Sequence, residues 1–151
     1  QYFAFMREIL GFLIQVVDRM AFERMTGEER AEFTAALVRR SAEILEESEL
    51  EWLGQPPDGA DSWRNQFIDF CNELGEAYAE FDHGPEGPDF CFVRYLGSRV
   101  EAVVPAKDRH WVKDQLMAIE VPEAIEMVRR GMHGALSTEP RPKRRATMSG
   151  D

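Results

Sequence analysis

The first fifty residues carry the feature that most restricts the fold, which is a pair of consecutive helical patterns. Apolar residues between Tyr2 and Met25 recur at helical spacing, and a second helical pattern begins at Thr26. Thr26 and Glu29 have the spacing of a capping box, in which each side chain accepts a hydrogen bond from the other residue's backbone amide. Because two such helices cannot bury their apolar faces alone, the sequence predicts a mainly α, single-domain helical bundle.

The remaining sequence adds three or four helices, so that the predicted bundle has five or six. Residues 54–59 contain two prolines and two glycines, and they separate the second helix from the third. The third helix is predicted over residues 63–81 and is followed by a loop at 82–88. A short helix then follows Pro105, and a last helix begins near Pro122.

Residues 90–104 fit two alternative structures. In a short β-hairpin, Gly97 and Ser98 form a two-residue turn, and alternate apolar residues share one face. In a helix, Leu96 and Val100 lie on one apolar face. The aromatic and β-branched content favours the hairpin, whereas the helical character of the rest of the chain favours the helix.

Two features are expected to weaken the predicted helices. Residues 46–52 place acidic side chains at the end of the second helix, where the helix dipole prefers cations, so this end is expected to fray. Gly75 lies inside the third helix, where glycine costs about 1 kcal/mol relative to alanine. A close approach of another backbone at Gly75 would explain why the residue is tolerated there.

Charge divides the chain into a helical domain at residues 1–136 and a disordered basic tail at 137–151. The net charge is −10, and the tail contains four basic and two acidic side chains, which leaves −12 on the domain. An acidic domain repels phosphate groups, so nucleic-acid binding is not expected and binding to a membrane surface is disfavoured. The longest uncharged stretch of the first helix has nine residues, whereas a membrane span needs about twenty.

The two cysteines, Cys71 and Cys91, lie twenty residues apart and form no metal-binding or redox motif. Free thiols are typical of a reducing compartment, so the sequence predicts a cytoplasmic protein. Cys71 lies on the apolar face of the third helix. It is therefore expected to be a core thiol rather than a nucleophile.

One constellation of side chains points to a metal. Glu76, Glu80 and His83 follow one another at spacings of four and three residues, and Glu80-x-x-His83 has the form used in carboxylate-bridged di-metal bundles. A second such motif on another helix is missing from the sequence. A divalent-metal enzyme or sensor that uses this carboxylate and histidine site is therefore the alternative hypothesis, and the favoured hypothesis includes no cofactor.

The favoured hypothesis is a non-catalytic protein-interaction module, such as an adaptor, a small chaperone or a regulator. The sequence contains no recognisable nucleophile, nucleotide-binding or zinc-protease motif. The apolar face of the first helix is wider than one neighbouring helix needs, and Phe5, Phe12 and Ile14 are predicted to contact a protein partner or a second copy. Tryptophans near helix ends, such as Trp52 and Trp111, are further candidate anchors.

Overall fold

The computed structural model describes residues 2–136, and most of them are helical. The helices are α1 (Tyr2–Phe22), α2 (Gly27–Leu53), α3 (Trp63–Tyr78), α4 (Phe90–Val103), α5 (Arg109–Trp111) and α6 (Val121–Leu136). A 3₁₀ turn at Ala106–Asp108 precedes α5, and a π-helix at Val112–Glu120 joins α5 to α6. The predicted mainly α bundle is therefore confirmed. The predicted tail lies outside the described residues.

Side-chain caps start the helices where the sequence places them. Thr26 Oγ1 accepts a hydrogen bond from the Glu29 amide at 3.2 Å, and Glu29 Oε1 accepts one from the Thr26 amide at 3.3 Å, which completes the capping box of α2. Ser62 caps α3 through the Asn65 amide. These bonds satisfy amides that have no partner inside the helix.

Residues 90–103 form a helix, and the hairpin alternative for residues 90–104 is wrong. Asp89 caps α4 by accepting a hydrogen bond from the Phe92 amide at 2.8 Å. Phe92, Leu96 and Val100 then follow at intervals of four residues on one face, and all three are fully buried. The helical register wins because it directs these three large side chains into the core together.

A minimal hairpin lies instead where the sequence predicts a loop. Strands β1 (His83–Gly84) and β2 (Gly87–Pro88) are two residues long and pair antiparallel. Gly87 has φ = 112°, a conformation that favours glycine over residues with a Cβ. The hairpin reverses the chain between α3 and α4.

Helix α1 is the centre of the bundle, and it contacts α2, α3, α4 and α6. Its wide apolar face is thereby explained, because different sides of the helix enter two core clusters. The larger cluster comprises Phe12, Val16, Leu74, Tyr78, Phe92, Leu96, Val100, Val112, Leu116 and Val121. The smaller one comprises Ile14, Ala42, Leu45, Phe67 and Cys71. Within residues 2–136, no helix combines the length and apolar character that crossing a membrane requires.

The end of α2 does not fray as predicted, since the helix continues to Leu53. Glu49, in this acidic segment, is fully buried and accepts a hydrogen bond from Arg7 Nη2 at 2.6 Å. A buried carboxylate paired with a cation ties this part of α2 to α1, and that tertiary contact outweighs the unfavourable dipole term.

The short helix and the last helix predicted from the sequence form one continuous helical stretch. Pro122 lies in the first turn of α6, directly after the π-helix. In a continuous α-helix a proline removes one backbone hydrogen bond, and its ring collides with the carbonyl four residues earlier, here that of Ala118. The wider π-helical turns change the backbone register before Pro122 and let the chain remain helical.

The close helix contact that would explain a glycine at position 75 does not occur there, but such a contact does occur at Gly11. A Cβ on Gly11 would collide with the Leu74 side chain and would lie 3.2 Å from Phe70 Cε1. A Cβ on Gly75 would meet only the Gln15 side chain, at an ordinary 3.8 Å. Glycine on α1, and not glycine on α3, therefore allows these two helices to pack closely.

The two glycines provide a matched test of this packing. We expect Gly11→Ala to lower the free energy of unfolding by about 1–3 kcal/mol, because Leu74 is fully buried and cannot move freely. Gly75→Ala should raise the free energy of unfolding by up to about 1 kcal/mol, because alanine favours the helix and the site has room. Urea unfolding monitored by circular dichroism measures both changes. Equal effects of the two substitutions would contradict the described α1–α3 contact.

Candidate interaction surface

A large exposed apolar surface lies where the start of α1 meets the end of α2. The two helices are consecutive and antiparallel, so these two ends are neighbours. Trp52 is 77% exposed and Tyr2 is 66% exposed, and both are large side chains that usually bury much of their area. We name this region the Tyr2–Trp52 surface, and it consists of Tyr2, Phe3, Met6, Leu10, Ile44, Leu45, Ser48, Trp52 and Leu53.

The surface contains a groove between the two helices. Tyr2, Phe3, Met6 and Leu10 line it from α1, and Ile44, Leu45, Ser48 and Trp52 line it from α2. Most of them are three or four positions apart and form one stripe along each helix, comprising Phe3, Met6 and Leu10 on α1 and Ile44, Ser48 and Trp52 on α2. The groove has a volume of about 280 Å³. A recess of about 500 Å³, lined by Tyr2, Phe3, Trp52 and Leu53, adjoins it.

A separate recess lies on another side of Tyr2. Its volume is about 410 Å³, and it is lined by Tyr2, Phe5, Val103, Val104, Pro105, Asp108 and Trp111. The Trp111 ring centroid lies 5.9 Å from that of Phe5, and the Trp111 side chain remains partly open to solvent. Tyr2 therefore stands between two apolar depressions.

Acidic side chains border the groove on α2. Glu47 and Glu51 are exposed and lie three positions after the lining residues Ile44 and Ser48, respectively, so they are neighbours of these residues on the surface of α2. Within the described part of the chain, neither carboxylate forms an ion pair. The nearby cations are already engaged, because Arg7 pairs with Glu49 and Arg40 pairs with Glu43. The edge of the groove formed by α2 is therefore negatively charged.

Two of the three predicted interface residues are in the core. Phe12 is 1% exposed and Ile14 is 4% exposed, so neither side chain is available to a partner, and this part of the sequence prediction is corrected. Phe5 is half-buried beside the second recess. The physical reason is that α1 is surrounded by four other helices, which cover its wide apolar face along most of its length.

The sequence pattern missed several residues of the observed surface. Ile44 has the same spacing as residues that face inward on α2, yet it is half exposed. Tyr2 and Phe3 belong to the same apolar stripe as the buried part of α1. Periodicity marks which side of a helix is apolar, but it does not show where a neighbouring helix stops covering that side. The position of Trp52 at a helix end was the available signal.

The candidate metal ligands are not brought together as a ligand set. Helix α3 ends at Tyr78, so Glu80 and His83 do not continue on one helical face with Glu76. Glu76 and Glu80 are exposed, whereas His83 is half-buried in β1. Residues 2–136 contain no group of three or more His, Cys, Asp or Glu side chains positioned to hold a metal ion.

His83 has a different environment from the one that metal binding requires. Its ring lies 6.3 Å from the Phe92 ring, and it lines a small cavity of about 70 Å³ together with Met20, Glu23 and His133. Both ring nitrogens are buried without a hydrogen-bond partner among the described residues. Burial lowers the pKa of His83 below its ordinary value of 6.5, because the charged imidazolium is poorly solvated there.

Both cysteines are free, and they differ in accessibility. Cys91 is exposed, whereas Cys71 is buried in the smaller core cluster as predicted. Burial raises the pKa of the Cys71 thiol to about 12, so almost none of it is thiolate at neutral pH. Cys71 is therefore not an activated nucleophile.

The chain has no significant match among protein-family models, curated proteins or solved structures. Its function is therefore inferred from the described residues. Among them, Tyr2, Ile44, Trp52 and Leu53 combine large apolar side chains, strong exposure and a shared position beside a groove.

The buried imidazole of His83 leads to a testable pH dependence. Since its folded pKa is below 6.5, the unfolded chain binds a proton more readily than the folded chain as the pH falls below 6.5. The presence of His83 should therefore lower the free energy of unfolding when the pH falls from 7 to 5.5. His83→Gln should make the free energy of unfolding depend less on pH over this range. Urea unfolding at pH 7 and at pH 5.5 measures the free energy of unfolding of each protein. His110→Gln, at a side chain that is 96% exposed, is the control for loss of an imidazole and should change the pH dependence less than His83→Gln does.

Proposed function

We propose that the protein is a non-catalytic interaction module that binds another polypeptide through the Tyr2–Trp52 surface. The observation that carries the proposal is the exposure of Trp52 and Tyr2 at the edges of a groove lined by apolar side chains. Tyrosine and tryptophan are the side chains that most often dominate binding energy at protein interfaces. Exposed apolar patches beside grooves are typical of binding sites rather than of inert surfaces.

Three ion pairs between helices indicate that the charged side chains inside the bundle have a structural role. Glu8 is paired with Arg99, Glu49 with Arg7, and Asp18 with Arg30. The buried carboxylates of Glu8 and Glu49 are therefore engaged in holding helices together. The Asp18–Arg30 pair is partly exposed and also lines a cavity of about 490 Å³ between α1, α2 and α3. The metal-dependent alternative has no comparable support, because its three candidate ligands lie apart or exposed.

The proposal includes the cellular compartment in which the protein acts. Two free cysteines, one of them exposed, fit a reducing compartment such as the cytoplasm. An exposed thiol would be open to oxidation or disulfide exchange in an oxidising compartment. A polypeptide partner from the same compartment is the proposed ligand.

The proposal is tested by selecting random peptides against the wild-type protein and measuring their affinities. We expect selected peptides to lose at least about 10-fold in affinity for Trp52→Ala, because truncating a large aromatic side chain removes much of the contact area. The matched control is Phe90→Ala, since Phe90 is 76% exposed but lies on α4, away from the groove. The two variants should be as stable as the wild type. Peptides that bind wild-type and Trp52→Ala proteins equally would contradict the proposal.

A further inference from the structure

We propose that the groove of the Tyr2–Trp52 surface binds one amphipathic helix whose polar side carries lysine or arginine. This inference rests on the proposed function and specifies the chemistry of the partner. It follows from two independent properties of the groove, its shape between two helices and the charge along its α2 edge.

The shape of the groove fits a helix. Phe3 to Leu10 spans about 10 Å along α1 and Ile44 to Trp52 about 12 Å along α2, at 1.5 Å per residue. Ser48 is the small residue between Ile44 and Trp52, and it leaves space for an apolar side chain of the partner. Two turns of a helix with apolar residues at i, i+4 and i+7 match these dimensions.

The chemistry of the groove also favours a helix over an extended segment. The lining side chains are apolar except for the hydroxyl groups of Tyr2 and Ser48, and both walls are helices, which offer no free strand edge for an extended peptide to pair with. An extended peptide would place unpaired amides and carbonyls against these apolar side chains, which is costly. A helix satisfies its own backbone hydrogen bonds before it binds.

The charge of the α2 edge determines the polar side of the partner. Glu47 and Glu51 are one helical turn apart, are exposed, and lie three positions after two lining residues of the groove, Ile44 and Ser48. Basic side chains flanking the apolar face of a bound helix would face these carboxylates. The exposed cations Lys107 and Arg109 flank Asp108, which lines the separate recess beyond Tyr2, so they do not belong to this edge.

The same charge argues against the other possible occupants. A symmetric pair of copies would bury the same patch from each, and it would bring the Glu47 and Glu51 carboxylates of two strongly acidic domains together. Residues 137–151 of this chain are basic, but they contain no apolar residues at helical spacing that could fill the groove. A helix from a separate protein can provide both the apolar residues at helical spacing and the positive charge.

The experiment compares two fluorescent peptides of about 18 residues, long enough for several helical turns. Both carry leucine at i, i+4, i+7 and i+11, and one has lysine and the other glutamate at the flanking polar positions. Fluorescence anisotropy measures binding at 50 and 500 mM NaCl. We expect the lysine peptide to bind at least about 10-fold more tightly at 50 mM, with a smaller preference at 500 mM because salt screens the carboxylates.

Variants of the protein and of the peptide test separately the effect of charge and the need for a helical partner. Glu47→Gln combined with Glu51→Gln should reduce the preference for the lysine peptide to less than about 3-fold, because these two carboxylates are the ones that face the lysines of the bound peptide. The control is Glu73→Gln with Glu76→Gln, an equal charge change at exposed sites on α3. A lysine peptide with a central proline should bind more weakly than its parent, because proline interrupts the helix.

Each other outcome has a defined meaning. Equal binding of both peptides, lost in Trp52→Ala, would overturn the basic-helix inference and leave the proposed function standing. Failure of both peptides, while selected random peptides still bind at Trp52, would also overturn only the inference. Equal binding of the lysine peptide to wild-type and Trp52→Ala proteins would show attraction to the acidic domain outside the groove. A dimer that Trp52→Ala abolishes in sedimentation would identify a second copy as the occupant.

Discussion

The arrangement of the bundle depends on two adjacent charged residues near the start of its central helix. Arg7 pairs with Glu49 on α2 at 2.6 Å, and Glu8 accepts two hydrogen bonds from Arg99 on α4 at 2.7 and 3.0 Å. Consecutive helical residues point about 100° apart, so the two pairs engage two different neighbours. Removing one partner from a buried pair leaves an uncompensated charge, which costs about 3–5 kcal/mol. The pairs therefore fix how α1 is rotated between α2 and α4.

A third pair holds the opposite end of the α1–α2 unit. Arg30 donates two hydrogen bonds to the Asp18 carboxylate, at 3.0 and 2.6 Å, and the Thr34 hydroxyl donates a third at 2.7 Å. With Arg7 and Glu49 paired at the other end, the two helices are attached at both ends of their contact. The groove between them is therefore formed before any partner arrives, and binding need not order its walls.

The sequence alone predicts those structural elements that depend on residues close to one another in the chain. The capping box at Thr26 and the periodic apolar residues of α3 require only neighbours in the chain, and the structure confirms both. The sequence does not predict features that depend on contacts between residues far apart in the chain. Gly11 is needed because Leu74 approaches it, and the end of α2 is ordered because Glu49 meets Arg7. None of these partners is identified by spacing, since they are 63 and 42 positions apart.

The same limit explains why the candidate surface differs from the predicted interface. An apolar stripe on α1 runs from Tyr2 past Phe12, and the sequence offers no sign of where other helices stop covering it. In the folded chain, the covered part becomes the core and the uncovered part becomes the wall of a groove. In the proposed complex, the carboxylates beside the groove and the apolar residues that line it act on different rate constants. The exposed carboxylates of Glu47 and Glu51 attract a basic partner and raise the association rate, whereas Trp52 and Ile44 provide apolar contact that slows dissociation.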